Sequence, residues 1–215
     1  MTSLNALPSR LLLVTDRRQA AAPLDAIVTE AVSAGARWIW LRDRDMPADA
    51  RRALATRLLA VTRRHGARLT IGGDIDLAAE IAADAVHLAA GASVAAARAR
   101  LGPAALIGLS AHDLSEVARA ETEGADYVTL SPIFATQSKP GYGPALGLAA
   151  LTEASRLGLP VLALGGVTMA RAAACLRAGA GGIAVMGEAM RAADRAGGVR
   201  AVVQALSDAL QSETA

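Results

Sequence analysis

The sequence predicts a single (β/α)8 barrel over residues 1–215, on three observations. Short apolar runs of strand length recur along the chain. Between them lie Ala-, Leu-, Arg- and Glu-rich stretches with helical spacing, such as Leu24–Ala34 and Ala48–His65. Several of these stretches end in glycine, at Gly35, Gly66, Gly124 and Gly179, the residue that supplies a left-handed cap before the next strand. Strands alternating with helices build a parallel sheet covered by helices, and eight such units in 215 residues suit a closed barrel. A doubly wound open sheet is the competitor, but no G-x-G-x-x-G follows the first strand.

The predicted strands, in order, are Leu11–Thr15, Trp38–Leu41, Leu69–Ile71, Val86–Leu88, Leu106–Ser110, Tyr127–Ser131, Val161–Leu164 and Gly182–Val185. Three of the entries into them are alike: "SAGARWIWL", "TEGADYVTL" and "RAGAGGIAV" each run from a small residue through Gly-Ala into a strand. Trp38 and Trp40 fall on one face of the second strand, as barrel filling or as a pocket wall. Hydrophobic residues make up 53% of the chain and aromatics only 2%, so the core is built from small side chains at close backbone separation.

Composition excludes several classes. The net charge of +2 and the absence of a basic run interleaved with aromatics argue against nucleic acid. No apolar run is long enough to span a membrane, and "MTSLNALPSR" does not read as a signal peptide, so a cytoplasmic protein is expected. Cys175, the one cysteine, lies in the helical run "RAAACLRAG" and reads as a small buried hydrophobe. A homodimer stays open.

A barrel carries its site at the C-terminal ends of its strands. After the seventh and eighth strands stand Gly165-Gly166 and Met186-Gly187, whose backbone N–H groups suit a phosphate; tight turn geometry also demands glycine there. Arg42, Asp43, Arg44 and Asp45 follow the second strand, either as a salt-bridged rim or as an anion clamp. His87 lies inside an apolar strand and reads as a hydrogen-bonded core residue. Ser110 and His112 end the fifth strand, where a histidine can exchange protons. Asp113 and Ser115 are candidate caps of the helix that follows. No metal constellation emerges from the spacing of His and carboxylates.

The segments "LLLVTD", "WLRDRD", "DIDLAAEIAADAVHL", "IGLSAHDLSEVARAETEGADYVTLSPIFATQSK", "LALGGV" and "AGAGGIAVMG" resemble the thiamine phosphate synthase / TenI superfamily over Leu11 to Leu206. The resemblance implies a (β/α)8 barrel and one of two chemistries. Synthases join hydroxymethylpyrimidine diphosphate to a thiazole phosphate, with Mg²⁺ assisting departure of the diphosphate. TenI-like proteins aromatise a thiazole phosphate carboxylate by a proton shift.

The positions divide between the two. Trp40, Arg42 and Arg44 stand where synthases carry Gln-x-Arg-x-Lys. Gly72 and Gly73 stand at the Asn-Asp pair, and Ala92 at a second metal-ligating Asp, with Asp74 one position from the first. Thr136, Ser138 and Lys139 match the thiazole-phosphate loop, Gly166 and Met186 the phosphate cradle, and Gly187 replaces a common Ser. Ser110 and His112 match a Ser-x-His whose His is the acid–base residue in tautomerases. On the missing carboxylates the expected function is a thiazole tautomerase, an isomerase without metal. Its catalytic residues are His112 and Lys139; Arg42 or Arg44 pairs with the substrate carboxylate. The alternatives are a synthase using Mg²⁺, a transferase, and a non-catalytic thiazole-phosphate binder.

Overall fold

The computed structural model describes residues 7–136, 143–192 and 198–212. Its strands are β1 (Leu11–Val14), β2 (Trp38–Leu41), β3 (Arg68–Gly72), β4 (Ala85–Leu88), β5 (Leu106–Ala111), β6 (Tyr127–Leu130), β7 (Val161–Ala163) and β8 (Gly182–Val185). The helices are α1 (Leu24–Ser33), α2 (Ala48–Arg64), α3 (Ile75–Glu80), α4 (Val94–Leu101), α5 (Leu114–Thr122), α6 (Gly147–Ala154), α7 (Met169–Arg177), α8 (Gly187–Met190) and α9 (Gly198–Ser212). All neighbouring strands are parallel, and the sheet closes where β1 pairs with both β2 and β8, Leu13 opposite Ile39 and Leu11 opposite Ile183. The predicted barrel is therefore observed, with strand ends within a residue or two of expectation.

Alternation along each strand divides the core in two. Leu11, Leu13, Ile39, Leu41, Ile71, Val86 and their counterparts face the helices and form the large outer core. Leu12, Val14, Trp38, Trp40, Tyr127, Leu162 and Ala184 fill the barrel. Trp38 meets Tyr127 edge-on at 4.8 Å and donates its indole N–H to Thr70 Oγ1 at 2.8 Å. Few aromatics suffice because glycines make room for them. A Cβ on Gly108 would run into the Tyr127 ring, and one on Gly72 would stand 2.8 Å from Trp40 Nε1. Trp38 and Trp40 are thus barrel filling, and Trp40 is also a cavity wall.

The helix ends follow local chemistry. Asp74, Ser93 and Asp113 cap α3, α4 and α5 by accepting the N–H groups of Leu77, Ala96 and Glu116. Gly35, Gly66, Gly124 and Gly179 all have positive φ after their helices, as predicted. Cys175 is buried, and its thiol is pushed up to about 11 by that burial. Among the described residues no helix is long and apolar enough to cross a membrane.

Candidate active site

The barrel mouth holds two cavities at the C-terminal ends of the strands. The larger, about 760 Å³, is lined by Trp40, Arg42, Arg44, Ser110, His112 and Leu164 among others. The second, about 410 Å³, is lined by Thr136, Gly165, Gly166, Met186, Gly187 and Arg191 among others, and it also reaches Leu164. Leu164, one residue beyond β7, is thus a wall common to both.

On the β2 side, the four charges of "LRDRD" separate by role. Asp43 is buried and accepts from Thr15 Oγ1 at 2.5 Å and from the Arg17 N–H at 2.7 Å, which ties the loop after β1 to the end of β2. Asp45 pairs with Arg17 and Arg18 at 2.7 and 2.5 Å. Arg42 reaches Asp16 at 3.7 Å and the Met186 sulfur at 3.8 Å. Arg44 has no carboxylate partner among the described residues. Its guanidinium leans over Gly73, where an added Cβ would stand 2.6 Å from the guanidinium carbon. Partial burial and then the charges of Arg42 and Arg51 hold the Arg44 pKa below its ordinary value. Asp43 and Asp45 are therefore engaged in holding the strand ends together, and Arg44 is left facing the cavity without a carboxylate partner among the described residues.

Beneath them lies a neutral polar floor. His87 Nδ1 contacts Tyr127 Oη at 3.1 Å, and Nε2 contacts Ser110 Oγ at 3.2 Å and Thr129 Oγ1 at 3.3 Å. Burial, reinforced by the Arg44 charge, pushes His87 down to about 3, so the imidazole is neutral and structural. Its ring lies tilted by 42° against Trp40, with centroids 4.0 Å apart, and the buried Trp40 indole N–H has no acceptor among the described residues. His112, by contrast, is exposed at the cavity edge. It bonds the Ser131 carbonyl through Nδ1 at 2.8 Å, which places a proton on Nδ1. Its backbone N–H donates to Glu116 Oε2 at 2.7 Å.

On the β7–β8 side the glycines serve close packing. Gly165 and Gly166 both have positive φ, 90° and 62°. A Cβ on Gly165 would lie 2.8 Å from Pro132 Cα, and one on Gly166 would lie 2.8 Å from Phe134 Cβ and collide with the Ala135 carbonyl. The turn therefore needs glycine whether or not a phosphate binds, and the same turn lines the smaller cavity. Two arginines outside the predicted set flank it. Arg171 Nη1 donates to the Gly166 carbonyl at 2.8 Å and its guanidinium lies 4.6 Å over the Phe134 ring. Arg191, one turn beyond Gly187, donates to Gln19 Oε1, and a Cβ on Gly187 would stand 2.5 Å from its Nη1. Gly187, where the resemblance implies a serine, thus leaves room for a guanidinium.

Of the predicted site residues, Arg42, Arg44, Ser110 and His112 meet at the larger cavity, and Thr136, Gly165, Gly166, Met186 and Gly187 at the smaller. Ser138 and Lys139 lie outside the described residues. Sequence reasoning missed Arg18, Gln19, Arg171 and Arg191. The spacing of Arg191 four residues after Gly187 was a usable signal for the last.

A divalent cation of the kind the resemblance implies does not fit the described residues. It needs converging oxygen ligands, and no group of three His, Cys, Asp or Glu converges among them. Asp74, the nearest acid to the expected position, caps α3 and pairs with Arg51 Nη1 at 2.9 Å; Arg51 in turn holds the Gly72 carbonyl at 2.6 Å. Asp16 serves donors of its own loop, and Asp43 and Asp45 serve donors of the loop after β1.

A family profile described as "Thiamine monophosphate synthase" matches residues 11–189. A "Thiamine-phosphate synthase" of Roseiflexus castenholzii is 41% identical over 193 residues, 88% of this chain and 85% of that one. One of Chromobacterium violaceum is 38% identical, covering 84% and 88%. A solved structure of a thiamine phosphate pyrophosphorylase from Pyrococcus furiosus superposes with a TM-score of 0.85 at 29% identity, over 99% of both chains. These names correct the expected function. The tautomerase, hence isomerase, reading is overturned by relatives at about 40% identity that carry the synthase name, and nothing among them favours the TenI branch.

Proposed function

Because the chain belongs to the thiamine monophosphate synthase family, we propose that it is a transferase that joins hydroxymethylpyrimidine diphosphate to a thiazole phosphate and releases diphosphate. The observation that carries this reading within the molecule is the pair of cavities meeting at Leu164, each with its own arginines. A condensation needs two anionic substrates side by side; an isomerisation needs one.

The larger cavity takes the pyrimidine diphosphate. Arg42 and Arg44 face its anionic end, and Trp40 with its unpartnered indole N–H bounds the aromatic end. The smaller takes the thiazole phosphate on the backbone of Gly166, Met186 and Gly187, with Thr136, Arg171 and Arg191 around it. Ser138 and Lys139 are assigned to this phosphate by their place in the loop. The bond that forms joins the thiazole ring nitrogen to the pyrimidine methylene carbon. The bond that breaks joins that carbon to a diphosphate oxygen, and the electron pair leaves with the diphosphate. The attacking nitrogen carries no proton, so His112 has no proton to remove; it shapes the wall of the larger cavity with Ser110 and Ser131. Catalysis here is alignment and charge stabilisation of the leaving group.

The test is incubation of purified protein with both substrates and with each alone, read by mass spectrometry. The expected result is thiamine phosphate and diphosphate in equal amounts, with both substrates only. Absence of the coupled product under all metal conditions contradicts the reading.

A further inference from the structure

Where a metal-ligating carboxylate is implied, this chain has a glycine with a guanidinium folded over it. Gly73 has φ of +67°, and Arg44 occupies the space above it so closely that any side chain at 73 would displace it. The second implied carboxylate is Ala92. Every acid lining the larger cavity, Asp16, Asp43 and Asp45, is bonded to a neighbouring donor. Arg44 is the reverse case: a cation without a carboxylate partner among the described residues, beside a second cation, Arg42, whose nearest acid is at 3.7 Å. A cavity whose carboxylates are bonded to neighbouring donors while a guanidinium is without such a partner offers its free hydrogen-bonding charge to an anion rather than to a cation.

Resting on the synthase reading above, we propose that this chain holds and releases the diphosphate on guanidinium groups, Arg44 foremost with Arg42, and does so without a divalent cation. A guanidinium fork meets two phosphate oxygens at once and stays charged through the reaction, so it stabilises negative charge developing on the leaving oxygen. The trimming of β3 to Gly72-Gly73 makes the room: Gly72 admits Trp40 and Gly73 admits Arg44. Where the resemblance implies a lysine this chain has the longer, forked Arg44, and it fills the space that a carboxylate at 73 would take, a direct ion pair in place of a metal bridge.

The experiment titrates inorganic diphosphate into the purified full-length protein by calorimetry, in excess EDTA and again with Mg²⁺. Turnover of both substrates is measured under the same two conditions. Arg44→Gln and Arg44→Lys are compared with the parent; Arg44 is exposed at the rim, and circular dichroism checks that both variants fold. The expected result is saturable binding in EDTA, weakened at least tenfold in Arg44→Gln and less in Arg44→Lys, with turnover in EDTA within threefold of that in Mg²⁺. Binding or turnover that requires Mg²⁺ overturns the inference and leaves the synthase reading standing. Arg44-dependent binding in EDTA with no coupled product under either condition supports the metal-free anion site and overturns the synthase reading instead.

Discussion

The two cavities at the barrel mouth use glycine to opposite ends. At β7–β8 the glycines bring backbone close: Gly165 and Gly166 turn sharply under the Pro132–Ala135 segment. At β3, Gly72 and Gly73 leave space that large side chains of the β2 end fill, Trp40 and Arg44. In the proposed assignment the first arrangement offers backbone amides to one phosphate group in a fixed place. The second presents a long cation, which can follow a larger anion as it leaves. The same residue type therefore marks a cradle on one side of the mouth and a replaced side chain on the other. Only the neighbours tell which.

The strongest way to break that contrast is Gly73→Asp. Asp tolerates the left-handed backbone better than most residues, and its carboxylate would fall on the Arg44 guanidinium. We expect kcat/KM to fall by roughly 100-fold or more, since an Arg–carboxylate pair neutralises the cation meant for diphosphate. Steady-state kinetics with and without Mg²⁺ measure this; a rate restored by Mg²⁺ points to a revived metal site. On the opposite side, Arg191→Ala removes one charge-assisted contact of about 2 kcal/mol, or about thirtyfold. That loss is expected in KM for the thiazole phosphate, with KM for the pyrimidine within twofold. An equal rise in both would merge the two sites.

In the wall of the larger cavity, His112→Asn keeps a hydrogen-bond donor for the Ser131 carbonyl and removes the titratable ring. A loss under about tenfold in kcat is expected, because general acid–base catalysis commonly contributes 10²–10⁴ and none is needed here. The smallest effect concerns the polar floor under the larger cavity. His87 is held near 3 in the folded protein against 6.5 unfolded. Between those values the unfolded chain binds the extra proton, so this contribution to stability is full above pH 6.5 and lost as pH falls towards 3. From pH 6 to pH 5 the loss is about 1 kcal/mol. His87→Gln should remove that part of the slope in denaturant melts at the two pH values.

Much of the architecture was legible in order. Apolar runs gave the strands, glycine endings gave the caps, and the strand-end rule picked out Arg42, Arg44, His112, Gly166 and Met186, all of which line the two cavities. The roles within "LRDRD" were not legible, because residues alternating along a strand end say nothing of which acid is buried; Asp43 is set by Thr15, far away in sequence. Arg191 was missed because it meets Gln19 only when the barrel closes. The reaction was misread for a related reason. The absence of carboxylates at Gly73 and Ala92 points away from a synthase only while β3 and β4 are read alone; the cations that line the larger cavity come from the end of β2.

The most direct test of two separate anion sites is calorimetric titration of the thiazole phosphate into protein saturated with inorganic diphosphate, in EDTA. Two sites meeting at Leu164 predict one-to-one binding with an affinity little changed by the first anion, and still present in Arg44→Gln. Mutual exclusion of the two anions would contradict it, placing both in a single cavity.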